Sequence, residues 1–135
     1  MSDVLTGGCH CGAIRYEVSG QPVYTALCHC TDCRRSAGAP MVAWGAYPEG
    51  SFALLRGEPR TFNSSGTSYR SFCADCGSGL YFRNEQVLPG LVDIQIATLD
   101  DPDRLPPQIH VQTAERLHWI AHGGELPEFD RYPQP

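Results

Sequence analysis

The amino-acid sequence predicts an all-β fold of packed antiparallel sheets with very little helix. Fourteen glycines and eleven prolines are spread along the 135 residues, and the segments between them are short and rich in β-branched and aromatic residues. Several segments alternate apolar and polar residues, which is the period of a strand with one buried face. No stretch of a dozen residues keeps the apolar spacing of a helix without an interrupting glycine or proline.

The alternation is clearest in two segments. In residues 14–18 the polar positions are Arg15 and Glu17, and in residues 92–96 they are Asp93 and Gln95. We therefore expect the apolar members of both segments to face the core. Composition predicts further strands at 23–27, 41–46, 52–55, 60–62, 69–72, 80–82 and 109–112.

One short helix is expected at residues 31–36. Thr31 or Asp32 can cap its first turn, and Gly38 lies just past its end, where a left-handed residue commonly closes a helix. The tail, residues 123–135, contains three prolines and few apolar residues. We expect it to lie along the surface or to be loosely ordered.

Length and charge limit the classes of function. A chain of 135 residues fits a single domain over 1–135. The net charge of -5 argues against nucleic acid as a partner. All ten basic residues are arginine, so no lysine can hold a carbonyl substrate as a Schiff base. No apolar run is long enough to span a membrane and no export signal is present, so we expect a cytoplasmic protein without membrane contact.

Seven cysteines carry the strongest functional signal. Each has another cysteine two or three positions away, in the groups Cys9 and Cys11, then Cys28, Cys30 and Cys33, then Cys73 and Cys76. An odd count leaves one cysteine unpaired in any disulfide framework, and such close pairs would close very small rings. The same spacing suits two bonds to one metal ion, so we expect zinc rather than disulfides.

Seven ligands divide naturally into four and three. The pairs Cys9–Cys11 and Cys73–Cys76 are each followed by glycine, which allows a tight turn with backbone N–H groups directed toward the sulfurs. Because the two pairs lie some sixty residues apart, one zinc bound by both would connect the start of the chain to its middle. We interpret these four residues as a closed structural site that contributes to folding.

The segment Cys28–Cys33 places three sulfurs within six residues. One short segment cannot readily surround a metal ion, so the fourth position is expected to stay open. Arg34 and Arg35 follow directly and can offset the thiolate charge or bind an anionic part of a substrate. Two alternatives stay open: this site is a second structural zinc completed by a histidine such as His29, His10 or His110, or the two arginines are merely solvated.

The cysteine motifs resemble those of the glutathione-dependent formaldehyde-activating enzyme (GFA) family. The resemblance covers most of the chain and rests on segments 8–12 (GCHCG), 28–34 (CHCTDCR) and 70–78 (RSFCADCGS), followed by 99–102 (LDDP), Ile109–His110 and Trp119. It implies antiparallel sheets of the β-tent type. It also implies two zinc ions per chain, one structural on Cys9, Cys11, Cys73 and Cys76 and one catalytic on Cys28, Cys30 and Cys33.

The resemblance further implies a carbon–sulfur lyase that adds glutathione to formaldehyde, giving S-hydroxymethylglutathione, or performs the reverse reaction. The expected partners are a small thiol and a small aldehyde. An open zinc position suits this chemistry, because metal coordination removes the proton of a bound thiol. The alternative function is a non-catalytic zinc module that acts in protein interaction or thiol sensing.

Overall fold

The computed structural model describes residues 3–133. It contains one α-helix, α1 (Thr31–Ala37), several short 3-10 helices of which the longest is His118–Glu125, and ten strands. The strands are β1 (Val4–Gly8), β2 (Arg15–Ser19), β3 (Tyr24–Cys28), β4 (Val42–Pro48), β5 (Phe52–Arg56), β6 (Arg60–Asn63), β7 (Tyr69–Phe72), β8 (Gly79–Arg83), β9 (Leu91–Gln95) and β10 (Ile109–Val111).

The strands form two sheets. A three-stranded sheet has the order β1-β2-β5, and a seven-stranded sheet has the order β10-β3-β4-β9-β8-β7-β6. All pairs are antiparallel except β10 with β3, which run parallel. The all-β prediction of packed antiparallel sheets is confirmed, with this one parallel pair as an exception at the edge of the larger sheet.

The main hydrophobic core joins the two sheets. Tyr16 of β2 stacks on Phe52 of β5 with ring centroids 5.7 Å apart, and Phe52 packs at 4.8 Å against Tyr81 of β8 in the larger sheet. Val92 and Ile94 of β9 are fully buried in the same cluster. The predicted inward alternation of segments 14–18 and 92–96 is therefore confirmed for their apolar members.

The opposite face of the seven-stranded sheet carries a second, smaller cluster. Cys28 of β3, Val42 and Trp44 of β4 and Cys33 of α1 are buried there. Phe82 of β8 packs against Trp44, with ring centroids 5.8 Å apart. The larger sheet is thus covered on both faces, and the cysteine-rich segment lies on the face that points away from the main core.

The helix begins differently from the prediction. Its N-cap is Cys30, whose sulfur accepts a hydrogen bond from the backbone N–H of Cys33 at 3.2 Å, so neither Thr31 nor Asp32 caps it. The sequence rule favours oxygen-bearing caps, but the turn that gathers the sulfurs supplies a thiol at that position instead. Gly38 closes the helix in the left-handed conformation, as predicted.

The predicted strands fit closely. Each predicted strand is present with its ends shifted by a few residues, whereas β1 was missed. Residues 123–133 of the tail are exposed, and residues 134–135 lie outside the described range. Within that range the structure holds no helix with the length and hydropathy needed to cross a membrane.

Two glycines with positive φ differ in the space around them, so alanine substitutions at the two positions compare steric overlap with backbone strain. A Cβ at Gly57 (φ +84°) would overlap the carbonyl oxygen of Ala13, whereas a Cβ at Gly66 (φ +95°) would meet open space. The alanine in Gly66→Ala should introduce only the strain of a left-handed residue, so the free energy of unfolding should fall by about 1–2 kcal/mol. In Gly57→Ala the steric overlap should lower it by about 1–3 kcal/mol more.

Urea denaturation of the metal-loaded protein measures both variants. Equal losses of unfolding free energy in Gly57→Ala and Gly66→Ala would contradict the close packing of the β5–β6 turn against the segment that follows Cys11.

Candidate metal centres

Four cysteines from two distant segments of the chain come together. The ligand atoms of Cys9, Cys11, Cys73 and Cys76 all lie within 4.8 Å of one another. The first pair occupies the turn between β1 and β2, and the second pair occupies the turn between β7 and β8. This four-cysteine group therefore connects the small sheet to the large one.

Local backbone geometry creates both turns. The N–H of Cys9 donates to the carbonyl of Ile14 at 3.1 Å, and the N–H of Gly77 donates to the carbonyl of Cys73 at 2.8 Å. Gly12 and Gly77 both take positive φ, at 83° and 82°, which a residue with a side chain rarely adopts. The glycine after each cysteine pair is thus required by the turn that presents the two sulfurs.

Hydrogen bonds also stabilise negative charge on this group. The N–H of Ile14 donates to the Cys9 sulfur at 3.2 Å. The Ser78 hydroxyl lies 3.2 Å from the Cys76 sulfur, and its hydrogen bond lowers the pKa of Cys76 to about 5. Thiolates are the form in which cysteine binds metal, so these two hydrogen bonds favour the ligand state of Cys9 and Cys76.

Three cysteines form the second group on the far face of the large sheet. Cys28 ends β3, Cys30 caps α1 and Cys33 lies in its first turn, and their sulfurs lie within 4.8 Å of one another. Among residues 3–133, no histidine or carboxylate joins this three-cysteine group. His29 instead points to His110, with Nε2 and Nδ1 2.9 Å apart.

A buried arginine that the sequence analysis missed lies against this group. Arg70 of β7 is 9% exposed, and its Nη2 donates to the Cys33 sulfur at 3.5 Å and to Asp32 Oδ2 at 2.8 Å. Its Nε donates to the Ser64 hydroxyl at 3.0 Å, and its guanidinium lies 4.9 Å from the Phe82 ring centroid. Arg70 therefore offsets the negative charge that three adjacent thiolates accumulate.

The three thiols do not ionise equally. A hydrogen bond with Cys28 lowers the pKa of Cys33 to about 5 against the opposing effect of burial, and Arg70 acts in the same direction as Cys28. The same bond raises the pKa of Cys28. Cys33, whose sulfur accepts a hydrogen bond from Arg70, is thus the thiol of this group that ionises most readily.

Two adjoining cavities open beside the three-cysteine group. The sulfur cavity, of about 390 Å³, is lined by all three sulfur residues and by strand residues that include Tyr24, Asp93 and Phe82. The arginine cavity, of about 520 Å³, is lined by residues that include Arg35, Gly77 and Gln95. The cavities share three lining residues, Asp32, Trp44 and Arg70. Each volume falls in the range of small-molecule sites, about 300–1,000 Å³.

The two predicted substrate-binding arginines occupy different positions. Arg35 is exposed and lines the arginine cavity. Arg34 lines neither cavity, and its Nη2 donates to the Thr31 hydroxyl within α1 at 3.1 Å. Their roles stay predictions, with Arg35 the one placed beside a cavity.

Both cysteine groups fit zinc. A tetrahedral zinc with sulfur ligands at about 2.3 Å holds neighbouring sulfurs about 3.8 Å apart. Cys9 and Cys11 sulfurs are 3.7 Å apart, and Cys11 and Cys73 sulfurs are 3.8 Å apart. All seven cysteines are free of disulfides, so each group can hold a metal ion with soft thiolate ligands.

Comparisons with known proteins agree with this arrangement. A sequence profile described as "Glutathione-dependent formaldehyde-activating enzyme" matches residues 4–115, a range that includes both cysteine groups. The chain belongs to this family. The resemblance inferred from the cysteine motifs is thereby confirmed.

Individual relatives of the GFA family extend the match. A Halomonas elongata protein named "Putative glutathione-dependent formaldehyde-activating enzyme" is 28% identical over 126 residues, covering 87% of this chain and 80% of that protein. An uncharacterised lyase of Schizosaccharomyces pombe is 30% identical over 76 residues, covering 56% of this chain and 55% of that protein.

A solved structure supports the fold. A Rhodobacter sphaeroides protein superimposes with a TM-score of 0.63 over 78% of this chain and 99% of that chain, at 22% identity. At this identity the likeness concerns the fold alone.

Removing the Arg70 charge should weaken zinc binding at the three-cysteine group. Arg70→Met leaves the Cys33 thiolate and Asp32 without their cationic partner, so the zinc affinity of this group should fall about 10–100-fold. The four-cysteine group should keep its affinity, because Arg70 does not touch it. Titration of the metal-loaded protein with a chromophoric chelator measures the zinc affinity of each group.

The matched control is Arg60→Met, which removes an exposed arginine from the neighbouring strand β6. An unchanged zinc affinity of the three-cysteine group in Arg70→Met, or an equal loss in Arg60→Met, would show that Arg70 does not support this group.

Proposed function

We propose that this chain is a zinc-dependent carbon–sulfur lyase that adds a small thiol, glutathione or a similar one, to formaldehyde or a related small aldehyde, and catalyses the reverse reaction. One observation carries the proposal. Three sulfurs within 4.8 Å of one another line a cavity, and within residues 3–133 no histidine, further cysteine or carboxylate joins them. Catalytic zinc sites keep such an open position, whereas purely structural sites are closed by four ligands.

The proposal assigns a separate role to each cysteine group. Cys9, Cys11, Cys73 and Cys76 hold a structural zinc, while Cys28, Cys30 and Cys33 hold the catalytic one. Zinc bound at an open site supplies a Lewis acid that lowers the pKa of a coordinated thiol or polarises a carbonyl oxygen. Seven reduced cysteines persist in a reducing compartment, so we place the protein in the cytoplasm.

The chain's own residues orient the substrates around that centre. Trp44 and Phe82 give the sulfur cavity apolar walls, which exclude water from the reacting carbon. The arginine cavity adjoins the sulfur cavity and offers space for the body of the thiol, with Arg35 at its edge to meet a carboxylate. The thiol sulfur then enters the sulfur cavity beside Cys28, Cys30 and Cys33.

The activity test compares the rate of thiol–aldehyde addition with and without the protein. The zinc-loaded protein should exchange glutathione with S-hydroxymethylglutathione faster than buffer does, as measured by NMR exchange spectroscopy at equilibrium. Cys30→Ser should remove this gain and one zinc ion, while the four-cysteine group keeps the chain folded.

Two outcomes argue against the lyase. A wild-type rate equal to buffer for several thiols and aldehydes excludes it. A fourth protein side chain found on the zinc of Cys28, Cys30 and Cys33 favours the non-catalytic module instead.

The charge of Arg35 should affect thiol binding rather than the chemical step. Arg35→Ala should raise the KM for glutathione about two- to fivefold, the size expected for one exposed ion pair, with kcat unchanged. The KM for an uncharged thiol such as 2-mercaptoethanol should not change, because it has no carboxylate.

Arg131→Ala, in the exposed tail, serves as the matched control. Equal KM changes for the charged and the uncharged thiol would contradict a contact between Arg35 and a substrate carboxylate.

A further inference from the structure

A buried carboxylic acid faces the sulfur cavity without an assigned role. Asp93 lies on β9, where it pairs with Ala46 of β4 and Phe82 of β8. It belongs to the polar register of segment 92–96, but it is only 6% exposed. Asp93 lines the same cavity as Cys28 and Cys33.

Asp93 lacks the partner that a buried carboxylate requires. Its Oδ1 is buried and accepts no hydrogen bond from any residue between 3 and 133. Buried acids are ordinarily paired with a cation or saturated with donors. The one arginine lining the cavity, Arg70, donates instead to Asp32, Ser64 and the Cys33 sulfur. The Asp93 carboxyl group thus has neither a cation nor a donor at Oδ1 among the described residues, and Asp93 lines the cavity that a substrate would enter.

The surroundings of Asp93 raise the pKa of its carboxyl group toward neutral pH. Burial raises the pKa of Asp93 to about 7, and the negative charge of Cys33 adds to this effect. The titratable and charged groups that share the cavity come from β3, from α1 and its N-cap, and from β7: Tyr24, Cys28, Cys30, Asp32, Cys33 and Arg70. An acid whose pKa is near the working pH both donates and accepts a proton efficiently.

We propose that Asp93 is the general acid and base of the lyase reaction, exchanging one proton with the substrate hydroxyl oxygen in the sulfur cavity. This inference rests on the proposed function. In the addition direction the thiolate sulfur forms a bond to the carbonyl carbon, the C=O π pair moves to oxygen, and that oxygen takes the proton of Asp93. Solvent then returns a proton to Asp93, equivalent to the one the thiol lost on ionising.

The cleavage direction reverses each step. The Asp93 carboxylate accepts the hydroxyl proton, the oxygen pair re-forms C=O, and the C–S bond breaks with its pair leaving on sulfur. The assignment also defines the substrate class. The cavity takes adducts with a free hydroxyl on the carbon that carries sulfur, since an ether at that oxygen has no proton to give Asp93.

The test compares Asp93→Asn with wild type in the same exchange assay. Asn keeps the shape but cannot exchange the proton at neutral pH, so the enzyme-catalysed rate should fall about 100-fold, the contribution typical of general acid–base catalysis. Wild-type cleavage should rise with pH through a group with a pKa near 7, and this rise should be absent from Asp93→Asn. Asp130→Asn, in the exposed tail, is the control and should keep the wild-type rate.

Thermal stability separates a catalytic role from a structural one. Asp93 has a raised pKa in the folded state, so its ionisation destabilises the fold increasingly as pH rises from below 4 through about 7. Asp93→Asn removes this cost, so its Tm should exceed that of wild type at pH 8 and approach it at acid pH. A structural hydrogen-bonding role predicts the opposite, a lower Tm.

The outcomes distinguish this inference from the proposed function. A wild-type rate equal to that in buffer would contradict both the lyase activity and the role of Asp93. A rate for Asp93→Asn within threefold of wild type, with the pH dependence retained, would contradict the role of Asp93 alone. A variant that fails to fold, or that loses zinc, also overturns it, because Asp93 would then be a structural partner or a metal ligand.

Discussion

The whole arrangement depends on four sulfurs held less than 5 Å apart by two segments that lie some sixty residues apart in the chain. Thiolates at this separation repel one another unless a cation lies between them. Zinc at this position would therefore bind the β1–β2 turn to the β7–β8 turn and thereby fix the small sheet against the large one. In a chain of this size, with a modest core, metal-binding free energy of this kind becomes folding free energy.

The two faces of the seven-stranded sheet bury different kinds of side chain. One face packs against the small sheet through tyrosines, valines and isoleucines. The other carries Cys28, Asp93 and Arg70 on three different strands, brought together because their side chains share the period-two register. Helix α1 and the three-cysteine segment cover this face, which leaves a cavity lined by sulfur, a carboxylic acid and a guanidinium. The chemistry of the site thus depends on a sheet face that is covered by other segments but still carries polar and ionisable side chains.

The sequence predicted the features that are local. Both cysteine groups, the glycine turns beside them and most strands follow from spacings of a few residues. Strand β1 was missed because Thr6, Gly7 and Gly8 lack the alternation of a strand, and its place is set by pairing with β2. Asp93 and Arg70 were missed for a different reason. Strand alternation places a side chain on one face or the other, but it does not reveal what covers that face.

The number of zinc–sulfur bonds decides whether one cysteine group holds a closed zinc site and the other an open one. X-ray absorption spectroscopy of the zinc-loaded protein should show two zinc ions per chain and seven zinc–sulfur bonds, one for each cysteine. Addition of a thiol without aldehyde should add one more such bond. A single zinc per chain, or two zinc ions already saturated by protein ligands and unchanged by the thiol, would show that the three-cysteine group is not an open zinc site.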